Sequence, residues 1–221
     1  DKKILTNFIS PSIDYNDSLP LIKKVLANQI PNEGILTRKF EKLIAEQIKV
    51  KYSIATTSGT MSIFLALKAL KIGNGDEVLI PNITFVATAN AVKLSGAKPV
   101  LVDIDEQNLL LDIEKLKKKI TKKTKAIIAV HVSGRGSNII KLKKIAKKYK
   151  IKLVEDAAEA FASKYENKSL GTFGDIGCFS FSPPKIFTTG QGGAIVTNNL
   201  KLYKEIIKLK NQGRIGKANG G

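Results

Sequence analysis

A three-layer α/β/α fold, a mainly parallel seven-stranded sheet covered by helices on both faces, is the class that this 221-residue sequence predicts. Two observations carry the expectation. Between Val50 and Thr197, short apolar runs rich in β-branched residues alternate with segments of helical period, the pattern of repeated strand–helix units. A hydrophobic fraction of 43%, with no low-complexity tract, suffices for one large buried core.

Taken in order, Ser18 to Gln29 reads as an N-terminal helix and Thr37 to Ile48 as a second. The latter carries Phe40, Leu43, Ile44 and Ile48 on one face, with Thr37 as its N-cap. Residues 1–35 are assigned to an arm and lead-in, residues 36–221 to one large domain. The strands expected are Tyr52 to Ala55, Glu77 to Ile80, Pro99 to Val102, Ala126 to Val132, Lys152 to Val154, Gly177 to Phe181 and Ala194 to Thr197. Helices are expected between them at Met61 to Leu70, Ala87 to Leu94, Ile113 to Ile120 and Asn138 to Tyr149, and after them at Lys201 to Lys210.

The net charge of +18 favours anionic ligands by long-range attraction. It does not make a nucleic-acid binder. Arginine stands only at Arg38, Arg135 and Arg214, whereas bidentate phosphate and guanine recognition favours arginine, and no aromatic-plus-basic platform is present. The lysines read as solvated helix faces, as in Lys117-Lys118-Lys119 and Lys143-Lys144. No segment approaches the roughly 20 apolar residues of a membrane span, and Asp1-Lys2-Lys3 has no apolar signal core behind it. A cytoplasmic protein without a membrane partner is therefore expected. The single cysteine, Cys178, lies in an apolar run and reads as a buried inert thiol.

In open α/β sheets ligands bind beyond the carboxyl ends of the strands, so the residues there matter most. Thr56-Thr57-Ser58-Gly59-Thr60 follows the first strand and opens a helix. Glycine permits close backbone approach, hydroxyls donate hydrogen bonds and free amides at a helix start attract an anion, which together make a phosphate cup. An ordinary capped helix fits the same residues. Phe85 follows the second strand, where an aromatic face can stack on a flat heterocycle or simply fill the core.

Glu155-Asp156-Ala157-Ala158-Glu159-Ala160 follows the fifth strand. Acids with small residues beyond them leave room for a ring and a carboxylate beneath it, and a carboxylate paired with a pyridine nitrogen keeps that nitrogen protonated. A helix start favoured by acidic residues is the alternative. The densest signal runs from Cys178 to Gly193 around Lys185. A lysine set between Pro183-Pro184 and Thr188-Thr189-Gly190 is no solvated helix face, and a lysine of lowered basicity can form an imine with an aldehyde. Ser180, Thr188 and Thr189 are placed to reach a phosphate, although a glycine-rich hairpin loop is also compatible.

These stations, in this order and spacing, resemble the DegT/StrS-type sugar aminotransferases, a branch of the fold-type I pyridoxal-phosphate enzymes. The stretches that carry the resemblance are Ser58-Gly59-Thr60, Pro81 to Asn90, Glu155 to Ala160, Gly171-Thr172-Phe173-Gly174-Asp175 and Ser180 to Gly193. Within that family the chain is most similar to the GDP-perosamine-synthase branch, through Glu159 and Leu209-Lys210-Asn211-Gln212-Gly213.

The resemblance implies the large domain of a fold-type I enzyme and pyridoxal 5'-phosphate as cofactor, with no metal. Lys185 would form the Schiff base and shuttle the proton, and Asp156 would pair with the ring nitrogen. Phe85 would stack on the ring, Ser58, Gly59, Thr60 and Ser180 would hold the phosphate, and Glu159 would lie near the ring hydroxyl. A nucleotide-linked keto-sugar would receive an amino group from glutamate, in a homodimer. Relatives with a histidine in place of Lys185 are sugar dehydratases, which Lys185 argues against, and a catalytically silent or regulatory protein is the other alternative.

Three departures stand out. Gln191 replaces a glutamate common in relatives, and the residues from His131 to Ser137 differ from the usual pattern, so none of the latter is assigned to substrate. Relatives also continue past the position of Gly221 into a smaller C-terminal domain, so a truncated chain is expected.

Overall fold

The computed structural model describes residues 14–27, 33–136 and 138–214. Its helices are α1 (Tyr15–Ala27), α2 (Ile35–Ile48), α3 (Gly59–Ala69), α4 (Ala87–Ser95), α5 (Ile113–Lys119), α6 (Ile139–Tyr149) and α7 (Leu200–Lys210). The strands are β1 (Tyr52–Thr56), β2 (Glu77–Pro81), β3 (Lys98–Val102), β4 (Thr124–Val130), β5 (Lys152–Asp156), β6 (Lys164–Tyr165), β7 (Lys168–Ser169), β8 (Ile176–Ser180) and β9 (Gly193–Thr197). Seven of them form one sheet in the order β1-β9-β8-β5-β4-β2-β3, and β6 and β7 make a small separate hairpin that the sequence reading missed. Six strands of the large sheet run the same way. Strand β9 alone runs against both its neighbours, β1 and β8.

The alternation of side chains along the strands builds two apolar layers. Val78, Ile80, Ala126, Ile128, Val154, Cys178 and Ile195 pack against Ile63, Ala66 and Leu67 of α3, Ala91 and Val92 of α4 and Ile206 of α7. The intervening residues Leu79, Ile127, Ala129, Leu153, Phe179 and Val196 face the opposite layer, with Ile44 and Ile48 of α2, Leu116 of α5 and Leu142 and Ile145 of α6. Each Val, Leu, Ile or Phe side chain among them, once fully buried, contributes roughly 1.5–3 kcal/mol. Helix α1, by contrast, carries Pro20 and buries no side chain.

Several boundaries depart from the expectation. Helix α2 begins at Ile35 with Gly34 as N-cap, so Thr37 lies a turn inside, where its Oγ1 accepts from the Gly34 amide at 3.5 Å. The N-terminal helix starts at Tyr15, and its expected end at Gln29 lies outside the described residues. Strand β4 ends at Val130, not Val132, because the chain turns at His131 into a single 3-10 turn, Val132–Gly134, with Ser133 at φ 51°. Strand β5 runs on through Glu155 and Asp156, and turns rather than a helix follow it, so the acids are not a helix start.

Candidate active site

The carboxyl ends of β1, β4, β5 and β8 surround a cavity of about 360 Å³. Ser58, Gly59, Thr60, Phe85, Asp156, Glu159, Ser180 and Lys185, the eight residues singled out from the sequence, all line it. The topology explains the convergence, since strands running the same way bring all their carboxyl ends to one edge.

On one side stands the start of α3. The Ser58 hydroxyl accepts from the Met61 amide at 3.2 Å and caps the helix, while the first-turn amides of Gly59 and Thr60 have no carbonyl partner within the helix. The capped helix expected of this segment is thus present. Gly59 is required sterically, because a Cβ there would lie 2.7 Å from the Cβ of Ser180 on β8. Ser180 is buried, with its hydroxyl 3.2 Å from that of Ser182. Two hydroxyls and a helix N-terminus thus meet at one corner and suit an anion.

Lys185 sits in the loop from β8 to β9, where its amide donates to the Ser182 carbonyl at 3.0 Å in a turn made by Pro183 and Pro184. Its side chain is only 16% exposed, and Nζ lies 3.3 Å from Glu159 Oε1. The other Glu159 oxygen accepts from the Ser133 amide at 2.8 Å, which ties the lysine to the turn after β4. Beneath the loop Phe187 stacks on Phe161 at 5.6 Å, and Phe181 meets both rings edge-on. Thr188 and Thr189 are not on the cavity wall. They brace the loop instead, the first by donating to the Phe181 carbonyl and the second to that of Gln191, both at 2.9 Å.

Asp156 and Glu155 point to opposite layers, as neighbours on a strand must. Asp156 lines the cavity, with Oδ2 accepting from the Thr88 hydroxyl at 2.6 Å and Oδ1 from the Ala158 amide at 3.2 Å. Burial pushes its carboxyl above the usual carboxylate range, against the pull of those two hydrogen bonds and of His131 and Lys185. Glu155 is fully buried and accepts from the amides of Gly171 at 2.8 Å, Phe173 at 2.6 Å and Gly174 at 2.6 Å, with His131 Nε2 at 2.9 Å. It braces a loop and takes no place on the cavity.

Phe85 is no core residue: it is 71% exposed at the cavity rim. Cys178 is buried, and burial together with Asp156 and Glu155 holds its thiol well above the ordinary value, as expected of an inert cysteine. Other lining residues went unassigned in the sequence, Thr84 and Ser182 among them. His131 and Val132 line the wall although the stretch they open was set aside, and Gln191 does as well.

At the strand ends of this α/β sheet a sheltered lysine, a buried carboxylate and a helix N-terminus share one cavity. Residues 13–220 match the DegT/DnrJ/EryC1/StrS aminotransferase family, and the chain belongs to that family. Its aminotransferases are pyridoxal-phosphate-dependent. The GDP-perosamine synthase of Escherichia coli O157:H7 is 44% identical over 205 residues, 90% of this chain and 56% of that protein. An aminotransferase from Psychrobacter cryohalolentis superposes with a TM-score of 0.89 at 34% identity, over 96% of this chain and 57% of that one. Spr1654 from Streptococcus pneumoniae, in its PLP-form, superposes with a TM-score of 0.90 at 28% identity, over 96% of this chain and 59% of that one. The chain therefore spans little more than half the length of these proteins.

Proposed function

We propose that this chain is the cofactor-binding part, residues 36–221 behind an arm of residues 1–35, of a cytoplasmic, homodimeric aminotransferase. It moves an amino group from glutamate to a nucleotide-linked keto-sugar on the way to a surface polysaccharide or amino-sugar. The observation that carries the reading is the meeting of Lys185, Asp156 and the α3 N-terminus on one cavity wall. These residues fit pyridoxal phosphate in charge and in shape. The Gly59 backbone lies flush against Ser180, where a side chain would fill the cradle.

The amides of Gly59 and Thr60 and the hydroxyls of Ser58 and Ser180 would hold the phosphate, Phe85 at the rim would stack on the ring, Asp156 would pair with the ring nitrogen, and Glu159, which orients the Lys185 amine, would lie near the ring hydroxyl. When bound, the cofactor supplies an electron sink for carbanion charge, a function a protein side chain cannot perform. Lys185 would be the group that forms the Schiff base and, once freed, holds and returns the proton at the reacting carbon.

Saturating the full chain with pyridoxal phosphate is expected to give a visible absorbance band, and Lys185→Ala to abolish it. Candidate amino-sugar nucleotides are then added one by one, and the productive one shifts the band. A Lys185→Ala protein that keeps both band and shift overturns the assignment.

A further inference from the structure

Among the groups around the cavity, one buried hydroxyl lies at the carboxylate without having been assigned a part. Thr88, on the first turn of α4, is fully buried, and its hydroxyl is 2.6 Å from Asp156 Oδ2. Behind it stands Thr84 on the cavity wall, with its hydroxyl 2.8 Å from that of Thr88. We propose that Thr88, supported by Thr84, is a positioning residue that fixes the Asp156 carboxylate for the ring nitrogen of the cofactor. This rests on the reading of Asp156 given above.

The direction of the chain follows from counting protons. A hydroxyl has one proton to give, and a carboxylate accepts only, so at 2.6 Å the Thr88 proton is committed to Asp156. The Thr88 oxygen is then an acceptor, and the nearer donor is Thr84. The competing Thr84 bond, to the Phe85 carbonyl, is longer at 3.3 Å. Two hydroxyls thus point their protons inward, toward the acid. The i, i+4 spacing of Thr84 and Thr88 across the entry to α4 places them on one face. Asp156 points into the layer that holds α4, so the contact is built by the strand's alternation.

Thr88 also acts against the effect of burial. Desolvation raises the Asp156 carboxyl, and the Thr88 hydrogen bond is the largest influence lowering it, followed by the Ala158 amide, His131 and Lys185. His131 faces Asp156 from the end of β4, Lys185 from the β8–β9 loop and Cys178 from β8, while Glu155 looks into the opposite layer. Cys178 stays neutral. Removing the hydroxyl therefore lets Asp156 take up its proton at higher pH.

The test uses the full chain loaded with pyridoxal phosphate. Thr88→Val keeps the side-chain shape and removes the hydroxyl. It is expected to weaken cofactor affinity on the order of tenfold or more, and to displace the acid limb of the absorbance titration toward higher pH. Thr88→Ser restores both, and Thr84→Val gives a smaller displacement of the same sign. Wild-type affinity and an unmoved acid limb in a folded Thr88→Val protein overturn the proposal. If that variant does not fold, Thr84→Val decides, and an unmoved limb there overturns it equally. The Lys185→Ala control separates the two levels: retention of the band in that variant removes the underlying reading, whereas its loss beside an unaffected Thr88→Val removes the Thr88 role alone.

Discussion

Glu155 and Asp156 are adjacent acids on one strand with opposite occupations. Glu155 has four hydrogen-bond partners, three of them backbone amides of the loop from Gly171 to Gly174, and no exposed surface. Asp156 has one side-chain hydroxyl and one amide, and the cavity in front of it. A carboxylate whose lone pairs are filled by the fold serves structure, and one left short of partners is kept for a ligand. Stability and binding should therefore separate cleanly between neighbours in the sequence.

The comparison breaks first on Glu155. In Glu155→Ala the amides of Gly171, Phe173 and Gly174 lose the carboxylate and His131 loses its contact with it, and chemical denaturation should show a loss of at least about 3 kcal/mol. Glu155→Gln, with an amide nitrogen forced among donors, should lose about 2 kcal/mol. A value near zero for either would place the loop's support elsewhere. Asp156→Asn should leave the unfolding midpoint of the cofactor-free protein unchanged or raised, while pyridoxal-phosphate affinity, titrated by absorbance, falls on the order of a hundredfold.

A pH series sharpens the contrast. The folded-state carboxyl of Asp156 is raised above its ordinary 3.8, so the fold favours the neutral acid. Below 3.8 the cofactor-free wild type carries no penalty; as pH rises through the raised value, ionisation inside the fold costs stability. Asp156→Asn escapes this. Its advantage over the wild type in urea denaturation should be absent in acid and open as pH rises, and the opposite trend would contradict the burial argument. The smallest effect is expected at Thr172, whose hydroxyl donates to the Ser169 carbonyl at 2.6 Å in the loop that Glu155 braces. Thr172→Val should cost about 1 kcal/mol, a neutral bond against the several held by Glu155.

Much of this was legible in the sequence. The strand–helix alternation predicted the strands of the main sheet, and the motifs at the strand ends, through the resemblance they carry, assigned Lys185 and Asp156 to one site. The residues alone left Glu155 and Asp156 undistinguished, because the expected strand stopped at Val154; its continuation through both acids turns Asp156 toward α4 and the cavity and Glu155 to the opposite layer. Thr88 left a faint signal, a threonine four residues after Thr84 at a strand exit, where a core threonine was equally compatible. The support given by Thr188 and Thr189 was hidden because their hydroxyls turn back to their own loop, a choice that depends on where Phe181 and Gln191 place their carbonyls. The β6–β7 hairpin was too short to leave a periodic pattern.

The reversed direction of β9 has a consequence for how the lysine is delivered. Parallel neighbours must be joined by a crossover, commonly a helix laid across the sheet. Because β9 returns alongside β8, with Ser180 opposite Gly193, residues 181–192 leave and re-enter at the same rim. Lys185 thus rides on a span whose two ends are paired strand neighbours, so the register of β8 against β9 sets where the lysine is presented.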